Sequence, residues 1–143
     1  VRASIRTRRK ENCYTRQRKN MIDQLHTLND ELYASERALR DAAIDYRTQV
    51  RDAAEKRVSY DISWAQSILL IRDQCDKEAI KMTVGEKESL AVVECQQVLT
   101  ECRISEALAD AAKKHLDAEQ SILSSIQSRA RLQQVEANLT NYK

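Results

Sequence analysis

Cysteine is the residue type in this chain best suited to metal or redox chemistry, and it occurs four times, as Cys13, Cys75, Cys95 and Cys102. Cys95 and Cys102 are seven residues apart. On a helix that places them about 10 Å apart along the axis, too far to share one zinc ion at roughly 2.3 Å per sulfur. The chain has no C-x-x-C pair, and its two histidines, His26 and His115, lack ligand spacing to the cysteines. No metal or other cofactor is expected.

Cys75 and Cys95 lie ten residues either side of the single glycine, Gly85. If the chain folds back at Gly85, the two thiols face each other, and an oxidising compartment would allow a disulfide between them. A reducing compartment would leave both as small apolar residues in a helix seam. The triplet Asn138-Leu139-Thr140 is a glycosylation sequon, but it falls on a segment expected to be helical.

Catalysis finds no foothold in the residue pattern. The chain carries no glycine-rich phosphate loop and no nucleophile elbow, so no small-molecule substrate is expected. Carboxylate pairs such as Asp30-Glu31 read as a solvated helix surface. Charge is the remaining lead. Residues 1–20 carry Arg2, Arg6, Arg8, Arg9, Lys10, Arg16, Arg18 and Lys19 against Glu11, a net of +7, while residues 21–143 carry a net of −5. A basic arm of this kind suits an anionic partner, whether nucleic acid, lipid surface or acidic protein. Only Tyr14 interleaves it, so base stacking is unsupported.

The elements that must hold these residues follow from composition. The 143 residues include no proline and one glycine, and 32% are charged against 4% aromatic. Globular domains ordinarily spend about 7% of residues on Gly and about 5% on Pro, because turns and strand ends require them. The sequence is therefore read as all-α, a long antiparallel helical hairpin or coiled coil with a thin seam. No run approaches the ~18 consecutive apolar residues of a membrane span. Because the chain begins at Val1 rather than Met, it reads as a processed product or a piece of a longer protein.

Apolar residues recur in steps of three and four from Met21 through Leu25, Leu28, Leu32, Leu39, Ala42, Tyr46, Val50, Ala53, Tyr60, Trp64, Ile68, Ile71, Cys75 and Ala79 to Met82, interrupted at Ser35 and Arg57. Up to Tyr46 the steps alternate strictly, the heptad rhythm of a left-handed seam; beyond it they average nearer 3.6. One helix is expected over 21–84, about 90–110 Å long at ~1.5 Å per residue, preceded by the basic arm 1–20. Asn20 with Asp23 resembles an N-cap at its start. The cluster Ser59-Tyr60-Asp61-Ile62-Ser63 is the weak point along its length.

The best turn signal is Thr83-Val84-Gly85-Glu86-Lys87-Glu88, with Gly85 as the left-handed residue ending the first helix and the two glutamates opening a return helix over 85–143. The competing reading is one uninterrupted helix in which Gly85 costs about 1 kcal/mol. Cys95, Cys102, Ala109, Leu116, Leu123, Ala130 and Ala137 keep a strict spacing of seven. Folding about Gly85 sets them opposite Cys75, Ile68, Tyr60, Ala53, Tyr46, Leu39 and Leu32. The basic arm would then overhang the shorter return helix.

Both arms also carry apolar residues off that seam, among them Ile44, Val58, Ile62, Leu69 and Leu70, then Ile104, Leu108, Ile122, Leu132, Val135 and Leu139. A two-stranded seam needs only a narrow stripe, so the surplus implies further helical neighbours, either copies of this chain or other proteins. The expected function is that of a non-enzymatic structural or scaffolding element making protein–protein contacts within a larger cytoplasmic, cytoskeletal or filament-like assembly. Two other classes compete. One is an extracellular helical-bundle surface or receptor protein stapled at Cys75–Cys95, and the other is a charge-driven binder of nucleic acid or an anionic surface through residues 1–20.

Overall fold

The computed structural model describes the backbone of residues 2–141 and the side chains of residue 16 and residues 19–139. Three helices follow one another: α1 (Arg2–Glu78), α2 (Val84–Glu94) and α3 (Gln96–Asn141). The described residues contain no strand. α1 forms one arm of a helical hairpin, and α2 with α3 forms the other. The long α1 reflects a sequence with nothing to interrupt it, since no proline removes a backbone donor and no glycine falls within it. The backbone of the basic segment belongs to α1, so Asn20 lies inside the helix rather than capping it. The Ser59–Ser63 cluster is also helical throughout.

The hairpin turns earlier than the glycine. α1 ends at Glu78 and the left-handed position is taken by Ala79, at φ 54°. The Ile80 amide then donates to the Cys75 carbonyl at 3.0 Å, closing the helix end in a Schellman arrangement. Thr83 caps α2: its hydroxyl accepts from the Glu86 amide at 3.3 Å, while the Glu86 carboxylate accepts from the Thr83 amide at 2.7 Å. This reciprocal capping box satisfies two donors that a helix start leaves without partners. Gly85 sits inside the first turn of α2, with no positive φ and, beyond its chain neighbours and its own helix backbone, no atom within 4 Å of where a Cβ would stand. The turn is thus set by the strength of the Thr83–Glu86 cap, and the expected role of Gly85 passes to Ala79.

α2 and α3 meet at Cys95, whose backbone lies at φ −91° and ψ 11°. Helical bonding continues across it, from the Cys95 amide to the Ala91 carbonyl at 3.0 Å and from the Leu99 amide to the Cys95 carbonyl at 2.9 Å. The hydrogen-bond ladder of the return arm therefore runs on from α2 into α3.

The hairpin divides into two compact units, one of residues 42–116 and one of residues 1–41 with 117–143. In the first, Ile68, Ile71, Cys75 and Ala91 form the buried cluster next to the turn, with Trp64 packed against it. Its return arm faces inward at Ala91, Cys95, Val98, Cys102, Ser105, Ala109, Ala112 and Leu116, all buried or half-buried, in alternating steps of four and three. Opposite them, α1 faces inward at Ala42, Tyr46, Gln49, Ala53, Lys56 and Tyr60, then at Trp64, Ile68, Ile71 and Cys75. The heptad rhythm therefore continues past Tyr46 as far as Tyr60. Gln49 and Lys56 take the places assigned to Val50 and Arg57, which are exposed. Small side chains dominate; Ala42 is 3% exposed, Ala91 is fully buried and Cys102 is 1% exposed. Such residues leave room for the two helices to lie close together.

In the second unit the inward-facing residues of α3 are Glu119, Leu123, Ile126, Ala130, Gln133 and Ala137, and those of α1 include Leu28, Leu32, Ser35 and Leu39. The Ser35 hydroxyl is buried without a hydrogen-bond partner, a polar interruption of an otherwise apolar stripe.

Candidate interaction surface

The cross-arm contacts of the unit 42–116 define its register. Lys56 Nζ lies 2.9 Å from Glu101, Arg57 lies 3.2 Å from Glu106, and the Ser105 hydroxyl donates to Asp52 at 3.0 Å. Nearer the turn the Ser67 hydroxyl lies 3.3 Å from Cys95 Sγ. In the other unit Arg129 pairs with Glu31 at 2.9 Å. These pairings differ from those expected of a fold about Gly85: Cys95 meets Ser67, eight residues before Cys75 on α1. Across these five pairings the partner lies 7–13 residues short of the one a fold about Gly85 would give, so the centre of the turn moves back by about five residues. All fifteen seam residues expected from the sequence (Leu32, Leu39, Tyr46, Ala53, Tyr60, Trp64, Ile68, Ile71, Cys75, Cys95, Cys102, Ala109, Leu116, Leu123 and Ala130) are buried or half-buried. Their cross-arm partners differ from those of a fold about Gly85.

The register also decides the cysteines. Cys75, Cys95 and Cys102 are buried free thiols, so the Cys75–Cys95 disulfide is not made. Eight residues along α1 correspond to about 12 Å, well beyond the Cα separation of about 4–7 Å that a disulfide spans. Cys75 Sγ instead lies 3.6 Å from Met82 Sδ. Burial pushes the Cys102 thiol above its usual range, reinforced by the neighbouring Glu106 carboxylate. It sits as a small seam residue. Ion pairing raises Lys56, through its hydrogen bond and attraction to Glu101, and raises Arg57, chiefly through its hydrogen bond to Glu106.

Other residues singled out by type are placed apart from one another. His26 and Asn138 are exposed, on α1 and α3 respectively. Among the basic residues, Arg16 and Lys19 are exposed on α1, while the side chains of Arg2, Arg6, Arg8, Arg9, Lys10 and Arg18 lie outside the described residues, as do those of Cys13 and Thr140. Among the described residues no group of three or more His, Cys, Asp or Glu is arranged to hold a metal ion. No helix among them is long and apolar enough to cross a membrane.

The arrangement instead presents apolar side chains to solvent. In the unit 42–116, Ile44, Val58, Ile62 and Leu69 of α1 are 58%, 57%, 53% and 63% exposed. Ile44, Val58 and Ile62 fall two residues beyond the seam positions Ala42, Lys56 and Tyr60, and Leu69 two residues before Ile71, which on a helix is the opposite side. Ile104 and Leu108 of α3 are also exposed there. In the other unit Ile122, Leu132, Val135 and Leu139 are exposed on α3. A hollow of ≈ 660 Å³ beside the turn is lined by Met82, Thr83, Gly85, Glu86, Ser89, Leu90 and Val93, a further apolar surface. The chemistry these surfaces suit is burial against other apolar side chains. Comparison with protein-family models, with curated proteins and with solved structures finds no match to this chain.

Proposed function

We propose that this chain is a non-enzymatic scaffolding element, a helical hairpin that makes protein–protein contacts by packing further helices against its exposed apolar stripes. The observation that carries the reading is the second stripe on α1. Ile44, Val58, Ile62 and Leu69 stand more than half exposed on the side away from the seam. A helix needed only for a two-stranded hairpin has one apolar stripe, and a helix with two has a neighbour on each side. Burying a side chain of this size stabilises an interface by about 1.5–3 kcal/mol, so four of them on one side of the helix favour association. The partners in this reading are helical chains within a larger assembly.

Cross-linking of native material followed by mass spectrometry tests it. Intermolecular links that cluster along residues 44–69 of α1 are expected. A chain that stays monomeric at high concentration and links to nothing in native material would overturn the proposal.

A further inference from the structure

The outward stripe of α1 in the unit 42–116 carries more than apolar residues. Following its alternation of four and three gives Arg51, Glu55, Val58, Ile62, Ala65, Leu69, Arg72 and Asp76, every one exposed. The order of characters is cation, anion, four apolar residues, cation, anion. Laid antiparallel on itself about a point between Ser63 and Trp64, that order is self-complementary. Val58 meets Leu69 of the second copy and Ile62 meets Ala65. Beyond them Glu55 meets Arg72 and Arg51 meets Asp76. The two-fold axis repeats each pairing, so all eight layers match apolar with apolar or cation with anion.

We propose that this stripe is a homodimer interface, in which α1 of one hairpin packs antiparallel against α1 of a second copy over residues 51–76. The proposal rests on the scaffolding reading above and names the partner for one of its surfaces. The pairing obeys the layer rule of antiparallel coiled coils, because each layer joins residues at the two alternating positions of the heptad. Such a contact is isologous and closes after two chains. Its register is specified by charge. Sliding one copy by a heptad sets Arg51 against Leu69 in one direction and Ile62 against Arg72 in the other, burying charge on apolar side chains. A parallel, in-register arrangement stacks Arg51 on Arg51 and Asp76 on Asp76. Within the chain Arg51 already bonds Glu55 at 2.9 Å, and Arg72 and Asp76 share the same spacing, so each end of the interface gathers four alternating charges. Networks of this kind contribute where isolated exposed pairs contribute little.

Charge exchange tests the register. Light scattering or sedimentation of the full chain should show a dimer. Glu55→Arg alone and Arg72→Glu alone should each raise the dissociation constant by about tenfold or more, since each creates two like-charge layers. The double variant Glu55→Arg/Arg72→Glu should restore dimerisation, and unchanged helical circular dichroism shows that each variant remains folded. Should Arg72→Glu fail to fold, Glu55→Arg still reports the charge dependence, and cross-links between residues near 58 and 69 of the two copies report the register. A monomer at every concentration, an oligomer indifferent to these charges, or a double variant no tighter than either single one would overturn the proposal. A monomeric chain that still links through residues 44–69 to another protein would overturn the homodimer and leave the scaffolding reading standing.

Discussion

At the scale of single residues, the side chain most closely coupled to the fold point is Glu86. Hydrogen bonds from the Thr83 amide and then the Thr83 hydroxyl hold its carboxyl below the usual carboxylate range. Its folded-state pKa is thus lower than its unfolded one. The contribution to stability is fully present above the ordinary glutamate range and is lost as the pH falls through the depressed value. Hydrogen exchange at the first amides of α2 should accordingly show protection that fades on acidification. Glu86→Gln retains an acceptor for the cap and should remove that part of the pH dependence. Equal acid sensitivity in the variant and the parent would show that the capping carboxylate is not the cause. The Thr83-x-x-Glu86 pattern was legible in the sequence as a capping box, yet the glycine between them is the louder signal. Glycine's freedom to adopt positive φ makes it the default turn residue, and only the backbone itself shows that Gly85 does not use that freedom.

Among the elements, the turn is where expectation and structure part. Ala79 holds a left-handed conformation that costs an L-residue with a Cβ about 1–2 kcal/mol, while Gly85 occupies a helical position where Ala is preferred by about 0.5–1 kcal/mol. Two substitutions therefore act in the same direction. Ala79→Gly should stabilise the protein by roughly 1 kcal/mol, and Gly85→Ala, which meets open space, by roughly 0.5–1 kcal/mol. Thermal or denaturant unfolding measures both. A turn centred on Gly85 would give the opposite result, with Gly85→Ala destabilising. The helices themselves were readable because they depend on neighbours three and four residues away, and the absence of proline and near absence of glycine leave no competing local structure. The seam was readable only in part. Its return-arm face includes Ser105, Glu119 and Gln133 between the apolar positions, and such residues blur a pattern built on hydrophobicity alone.

At the scale of the whole molecule the deciding quantity is register. A zero-length amine–carboxyl reagent should join Lys56 to Glu101 within one chain, since their charged groups lie 2.9 Å apart. A hairpin folded about Gly85 would instead bring Lys56 near residue 114, and the absence of a 56–101 link, with links there in its place, would refute the register. The sequence by itself determined the all-helical class, because it follows from the helical period along each segment, while it left both a hairpin and one uninterrupted helix open. It also carried the outward stripe of α1, whose apolar members are spaced like those of the seam. Only the tertiary structure decided which residues meet across the hairpin, and with that the free state of Cys75 and Cys95 and the pairing of Lys56 and Arg57. The physical reason is that a heptad stripe looks the same after a slip of two turns. Sliding one arm past the other keeps apolar on apolar, so the face is fixed locally while the partner depends on where the turn closes.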